Sequence, residues 1–245
     1  MDVVRVFTYP ELHTATKAFS KKIASGGFGT VFEGILSDGS KVPVKRLETF
    51  SSQGYKQFKA EVGAIRSIHH KNLVRLKGFC SQESHHFLVY EYVPNGLLDK
   101  WIYKPLEELN WDTRFRIVEE IAQGIRYLHE ECSTRVLHLD IKPQNILLDE
   151  NFGVKIADFG LSRMWLPDYK LSIPVCLAGG ARAWAFEKLR SGKLMEMLEE
   201  KRARHEMEAI SKAEKLLRIG VWCIQPDPRE RPAMAQVVKM LQGVP

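Results

Sequence analysis

Along the first part of the chain apolar and polar positions follow strand-like patterns, and they shift to helical spacing further on. Thr30 to Leu36 is β-rich, Ser37-Asp38-Gly39-Ser40 is turn chemistry, and Lys41 to Leu47 is β-rich again, which predicts a hairpin. From Tyr55 to Ile68 the apolar residues Phe58, Val62, Ile65 and Ile68 recur at the spacing of one helix face. Short strands fit Leu73 to Phe79 and Phe87 to Tyr92, and Val93-Pro94-Asn95-Gly96 then breaks the pattern, marking a domain boundary. Beyond it the spacing is helical, with Asp112 or Thr113 as N-cap and Ile117, Ile121, Ile125 and Leu128 as a core-facing stripe. β-branched pieces at Asn145 to Leu148 and Val154 to Ala157 flank a turn at Asp149 to Gly153. Lys193 to Leu241 is helical again, interrupted by Gln225-Pro226-Asp227-Pro228.

A chain of 245 residues with 44% hydrophobic and 27% charged residues can bury a sizeable core, which excludes the disordered, collagen-like and disulfide-stapled classes. Its net charge of +6 favours anions without naming one. No basic block is interleaved with aromatics, so a solvated mixed-charge surface is a better reading than a nucleic-acid adaptor. The longest stretch free of charged residues, Leu171 to Ala181, has eleven residues and cannot span a bilayer. The amino terminus lacks the apolar core of a signal peptide, so the chain is expected in the cytosol. Cys80, Cys132, Cys176 and Cys223 lack the close pairing of zinc or redox motifs and are expected to be buried free thiols. The pairs His69-His70 and His85-His86 suit a metal poorly, because neighbours on a strand face opposite ways.

Ile23-Ala24-Ser25-Gly26-Gly27-Phe28-Gly29-Thr30-Val31 is a glycine-rich turn between β-prone segments. Its glycines would let backbone N–H groups approach a phosphate. No helix follows directly and no Gly-Lys-Ser/Thr is present, which excludes the Rossmann and P-loop arrangements. Taken alone the loop fits an ordinary hairpin as well as a nucleotide lid. Glu61 lies on the apolar stripe of its helix, where an inward carboxylate needs a cation, and Lys45 on the neighbouring strand is a candidate. A solvent-facing Glu61 at the stripe's edge fits equally. His138-Leu139-Asp140-Ile141-Lys142-Pro143-Gln144-Asn145, followed by Asp158-Phe159-Gly160, narrows the choice. Phosphoryl transfer needs a carboxylate to orient a hydroxyl, oxygen ligands for Mg²⁺ and cations on the phosphate. Asp140, Asn145, Asp158 and Lys142 supply those types together, in order behind the loop, Lys45 and Glu61.

At these residues the sequence resembles the protein kinase family, specifically plant receptor-like serine/threonine kinases with lectin-type ectodomains. Phe7-Thr8-Tyr9-Pro10-Glu11-Leu12, His69-His70-Lys71-Asn72-Leu73-Val74-Arg75-Leu76, Leu88-Val89-Tyr90-Glu91-Tyr92 and Ile219-Gly220-Val221-Trp222-Cys223-Ile224 carry the resemblance through most of the chain. It implies an α+β, two-lobed protein-kinase-like fold, with a lead-in at residues 1–22, a small β-rich N-lobe at 23–92 and a mainly helical, truncated C-lobe at 93–245. It also implies ATP- and Mg²⁺-dependent phosphorylation of serine or threonine in a protein substrate. Ala24, Gly26, Gly27, Gly29 and Val31 would cover the ATP phosphates, and Lys45, paired to Glu61, would bind them. Glu91, Tyr92 and Val93 would form the adenine-binding hinge, with Tyr90 as gatekeeper. Asp140 would be the catalytic base, Lys142 the γ-phosphate contact, and Asn145 and Asp158 the Mg²⁺ ligands. Family relatives are commonly plasma-membrane receptors with a cytosolic kinase domain.

The sequence departs from the family pattern in four places. Leu139 replaces the arginine that many kinases carry before the catalytic Asp, which removes an anchor for a phosphorylated activation segment. Ala24 occupies the first glycine position. Pro43 replaces alanine, and a central strand tolerates proline badly. The largest departure lies between Gly160 and Trp184. There Ser172-Ile173-Pro174-Val175-Cys176-Leu177-Ala178-Gly179-Gly180 runs straight into Ala183-Trp184-Ala185-Phe186-Glu187-Lys188-Leu189, and most of the activation segment, the Ala-Pro-Glu triplet and the following central helix are missing. Arg231, which matches the arginine that pairs with that glutamate, loses its family partner. The loss is expected to leave the 117–128 stripe and the terminal helices without their packing partner and the second lobe weakly stable, since each lost buried Leu or Ile contact costs roughly 2–5 kcal/mol and a domain holds only about 5–15. The alternative function is therefore a catalytically impaired module that only binds ATP or a partner.

Overall fold

The computed structural model describes residues 4–26, 29–47, 58–59, 61–63, 68–82, 85–105, 107–165, 207–225 and 227–244. The first lobe comprises β1 (Arg5–Val6), α1 (Tyr9–Ala15), β2 (Lys22–Gly26), β3 (Gly29–Ile35), β4 (Lys41–Arg46), β5 (Leu76–Gln82) and β6 (His85–Tyr90). Its strands form one six-stranded sheet in the order β1-β5-β6-β4-β3-β2, parallel only between β1 and β5. The predicted hairpin is β3–β4, in register from Thr30↔Arg46 to Ile35↔Lys41. Residues 58–59 and 61–63 of the predicted helix are helical, Ile68 lies beyond its end, and the remainder falls outside the described residues.

β6 reads Phe87-Leu88-Val89-Tyr90 without alternation because the sheet is covered on both faces. Phe87 and Val89 pack with Val42 and Val44 of β4 on one face, and Leu88 and Tyr90 join Leu47 and Phe58 on the other. The first of these faces is closed by the lead-in. Phe7 and the fully buried Leu12 belong to its core, Phe19 stacks on Phe87 at 5.1 Å, and Tyr9 stacks on His85 at 4.4 Å. A capping box starts α1: the Thr8 hydroxyl accepts the Glu11 N–H while Glu11 accepts the Thr8 N–H. Glycine at position 78 makes the arrangement possible, since a Cβ there would lie 2.2 Å from the Arg5 carbonyl oxygen and 2.5 Å from the Phe7 ring.

Pro43 is tolerated for a reason the sequence concealed. β4 is a central strand, but its pairing with β6 starts only at Val44↔Val89, so Pro43 precedes that ladder. The two adjacent histidines of β6 face opposite ways as expected, His85 towards Tyr9 and His86 stacked on Phe58 at 4.8 Å. Cys80, Cys132 and Cys223 are free thiols; only Cys80 is fully buried, and Cys176 lies outside the described residues.

The second lobe is built on α2 (Trp111–Arg126), followed by β7 (Arg135–Leu137), β8 (Ile146–Leu148), β9 (Val154–Ile156), β10 (Arg163–Trp165), α3 (Met207–Cys223) and α4 (Met234–Gln242). The N-cap of α2 is Asn110 rather than Asp112 or Thr113: its Oδ1 accepts the Thr113 N–H at 2.9 Å. β8 and β9 form the hairpin read from the β-branched pieces, and β10 pairs antiparallel with β7. Ile117 and Leu128 enter the main core beside Ile146, Ile156 and Phe159, a core continuous with Leu88 and Tyr90 of the sheet.

The expectation that this stripe and the terminal helices lack packing partners does not hold for the described residues. The other side of α2 is also apolar at Ala122, which packs with Val237, Val238 and Leu241 of α4, and Leu216 and Ile219 of α3 join that cluster. Arg231 donates through Nε to the Gln225 carbonyl at 2.8 Å. The segment from 166 to 206, where the departure from the family falls, lies outside the described residues.

The lead-in's role in the sheet is open to measurement. Leu12→Ala is expected to destabilise the protein by about 3 kcal/mol, whereas Val6→Ala, at a residue 67% exposed, changes little. Denaturant unfolding followed by fluorescence checks both; an unchanged midpoint for Leu12→Ala would show that the lead-in does not support the lobe.

Candidate active site

The glycine-rich turn closes the β2–β3 hairpin. Ala24 pairs with Val31, Ser25 with Thr30 and Gly26 with Gly29, while Gly27 and Phe28 lie outside the described residues. Alanine is accommodated at the first glycine position because residue 24 needs no left-handed φ, although the strand register shifts between Lys22 and Ala24. Gly29 has no substitute: its φ is +122°, and a Cβ would lie 2.1 Å from the Arg46 carbonyl oxygen. Val31 pairs with Ala24 on one side and with Lys45 on the other, so the hairpin lies directly beside Lys45.

Lys45 shares the β4 face of Pro43, opposite Val42 and Val44. Its ammonium, on a residue 7% exposed, lies 3.1 Å from Glu61 Oε2 and 2.7 Å from Asp158 Oδ1. Glu61 is fully buried, which decides between the two sequence readings in favour of the inward one. Burial alone would push the Lys45 ammonium down, but Glu61 and Asp158 hold it above its ordinary value. Burial pushes the Glu61 carboxyl up, against the opposing pull of Lys45. Tyr90, the gatekeeper position, donates its hydroxyl to Glu61 Oε1, a contact the sequence pattern did not indicate. Burial and then the neighbouring Glu61 charge raise the Tyr90 phenol well above its usual value, so it stays a donor.

The second group converges from the loop between β7 and β8. Leu139 takes a left-handed φ of +64°, and this turn brings the Asp140 N–H to His138 Nδ1 at 3.3 Å. With Nδ1 accepting, Nε2 carries the proton it shares with the Ala157 carbonyl at 3.0 Å, which fixes a neutral tautomer. Burial lowers the His138 pKa in the same direction. Asn145 donates through Nδ2 to the Asp140 carbonyl at 2.9 Å and to Asp140 Oδ2 at 2.8 Å. Lys142 Nζ lies 2.9 Å from the same carboxylate oxygen. Asp158 also adopts a left-handed φ, +67°, and the next side chain, Phe159, is fully buried 4.7 Å from the His138 ring. The Ala157 N–H donates to the Asn145 carbonyl at 2.8 Å, which ties the Asp158 segment to the Asp140 loop.

Between the two groups runs the segment expected to act as hinge. The Glu91 N–H donates to the Arg75 carbonyl, Val93 is buried, and Tyr92 is exposed with the Lys41 ammonium 5.8 Å above its ring. The described residues of the expected site therefore fall on four pieces: the β2–β4 hairpins, the helix that carries Glu61, the end of β6 with the hinge that follows it, and the segments from Asp140 to Asp158. Tyr90 and His138 act through hydrogen bonds that spacing alone did not disclose. Lys155, whose carboxylate partner is Glu91 at 3.2 Å, was also missed, because a lysine between two buried strand residues reads as an ordinary outward position.

Comparison with known proteins agrees with this arrangement. The profile of the protein tyrosine and serine/threonine kinase family matches residues 18–175. The chain is 38% identical to the G-type lectin S-receptor-like serine/threonine-protein kinase SD2-5 of Arabidopsis thaliana, over 97% of this chain and 35% of that protein. It is 36% identical to the G-type lectin S-receptor-like serine/threonine-protein kinase RLK1 of the same plant, over 98% of this chain and 34% of the relative. With the putative proline-rich receptor-like protein kinase PERK11 it shares 48% identity over 64% of this chain and 22% of that protein. The chain thus spans about a third of the length of the G-type lectin relatives. The match to SD2-5 runs over 287 positions, more than the 245 residues of this chain, so part of that relative's matched stretch has no counterpart here. The family profile stops at residue 175, inside the stretch where the sequence reading places the loss. With the motifs, the sheet, the Lys45 cluster and the profile in agreement over more than half of its length, this chain belongs to the protein tyrosine and serine/threonine kinase family.

Proposed function

We propose that the chain is a serine/threonine-type protein kinase domain that transfers the γ-phosphoryl group of ATP to a protein hydroxyl, with Mg²⁺ as cofactor. The observation that carries this reading is the Lys45 ammonium between Glu61 and Asp158, beside an Asp140 carboxylate oriented by Asn145. Asp140 would accept the proton of the attacking hydroxyl as the oxygen–phosphorus bond forms and the bond to the leaving diphosphate breaks. Lys45 would hold the non-transferred phosphates and Lys142 the γ-phosphate, with the glycine hairpin from Ala24 to Val31 above them. Glu91, Tyr92 and Val93 would present backbone groups to adenine, and Tyr90 would close the pocket behind it.

The donor set suits Mg²⁺. Asn145 commits its Nδ2 to Asp140, leaving the amide oxygen as its ligating atom, and Asp158 adds a carboxylate. No group of three or more His, Cys, Asp or Glu side chains among the described residues forms an all-protein cage. A hard cation bound by two protein ligands plus substrate phosphates and water needs none. Bound there, Mg²⁺ would offset phosphate charge. The division at residues 22 and 92 into lead-in, N-lobe and C-lobe goes with this reading, as does a cytosolic location. No described helix is long and apolar enough to cross a membrane.

The stretch of SD2-5 without a counterpart in this chain supports a second reading, a binding module that takes up Mg·ATP without turning it over. The two separate on one pair of measurements. A kinase moves radiolabelled phosphate from ATP to a generic acceptor protein, and Asp140→Asn abolishes the transfer while leaving the Mg·ATP-induced rise in melting temperature intact. A binding module shows the rise without transfer in either protein. Equal transfer by wild type and Asp140→Asn would overturn the assignment of Asp140.

A further inference from the structure

The expected adenine-binding segment and the strand that leads to Asp158 are joined by a side-chain contact that the sequence reading did not include. Glu91 Oε1 accepts the Arg75 N–H at 3.0 Å and lies 3.2 Å from Lys155 Nζ. Lys155 is the central residue of β9, three positions before Asp158. Backbone bonds complete a closed circuit. The Glu91 N–H donates to the Arg75 carbonyl at 3.0 Å, and the Val74 N–H donates to the Ile156 carbonyl at 2.8 Å. The Ile156 N–H in turn donates to the Asn72 carbonyl at 2.8 Å. The 72–75 segment is thus bonded to the hinge at one end and to β9 at the other, and the Glu91–Lys155 pair closes the third side.

We propose that Lys155 is a positioning residue, and that its ion pair with Glu91 fixes the spacing between the base-binding and metal-binding halves of the nucleotide cleft. This rests on the nucleotide-site reading above. The backbone bonds survive loss of either side chain, so the fold persists without the pair. The pair alone sets how firmly the hinge carboxylate is drawn towards β9. A ligand that touches both halves at once gains from a fixed spacing, because ordering one contact pre-pays the other. A ligand that touches only the hinge gains nothing. The pair's contribution is limited by solvent screening, since the two side chains are 21% and 24% exposed.

The test is calorimetric titration of the full chain with two probes, adenosine and Mg·ATP. Lys155→Met and Lys155→Gln are each expected to weaken Mg·ATP about two- to fivefold, the range for a partly exposed ion pair, with adenosine affinity unchanged. Lys155→Arg restores Mg·ATP binding, and melting temperatures stay close to wild type. If Lys155→Met does not fold, Lys155→Gln carries the comparison. Equal weakening of both probes would reduce the pair to a general structural role, and unchanged Mg·ATP affinity would remove it altogether; either result overturns the proposal while leaving the nucleotide site in place. Failure of the wild type to bind either probe would overturn the nucleotide-site reading and the positioning role together.

Discussion

A buried ammonium shared by two carboxylates holds the molecule's parts in relation. Lys45 comes from the middle of the sheet, Glu61 from the helix packed on it, and Asp158 from the segment just after β9 in the second lobe. None of these groups can be buried charged without the others, because desolvating an isolated ion costs several kcal/mol. Removing one partner of such a set typically costs about 3–5 kcal/mol, so the cluster makes sheet, helix and Asp158 segment mutually dependent. Tyr90 adds a neutral donor to Glu61 Oε1, beside the longer bond that Lys45 makes to the same oxygen at 3.3 Å.

The sheet's other face has the opposite task, and the chain solves it with the lead-in. On β4 the side chains alternate strictly, with Pro43 and Lys45 towards the cleft and Val42 and Val44 towards α1. Leu12 and Phe7 dry that second face, and Gly78 lets the lead-in strand approach closely enough to pair. A sheet packed on both sides is stiff, and a stiff sheet keeps Lys45 in place. The cleft residues therefore depend on side chains that never approach them.

What the sequence disclosed follows the range of the interactions involved. The β3–β4 hairpin and the β8–β9 pair were legible because turn chemistry and β-branched runs are local signals. The N-cap of α2 was misplaced by two residues or more, because Asn110, Asp112 and Thr113 are all competent caps and only the loop's geometry chooses Asn110. The candidate site residues were legible as motifs, since the reading rests on chemical types at fixed spacings. The hydrogen bond from Tyr90 to Glu61 and the ion pair from Lys155 to Glu91 were not, because each joins residues far apart in sequence and neither residue type is unusual at its position. The expected loss of packing around α2 was corrected by the same logic: a helix with one apolar stripe in view also had Ala122 on its far side, and a small residue there admits α4.

The family profile covers residues 18–175 and with them every residue proposed to hold nucleotide, so that proposal does not depend on the segment beyond. The central claim concerns these residues, and it is tested most directly by titrating Mg·ATP into the wild type and into Lys45→Met. Without its cation Glu61 would take up a proton and keep its bond with Tyr90, so the variant is expected to fold. Saturable binding by the wild type, weakened at least about tenfold in Lys45→Met, is the predicted result, since charge-assisted contacts to a phosphate are worth about 1.5–3 kcal/mol. Equal affinity in the two proteins would contradict it.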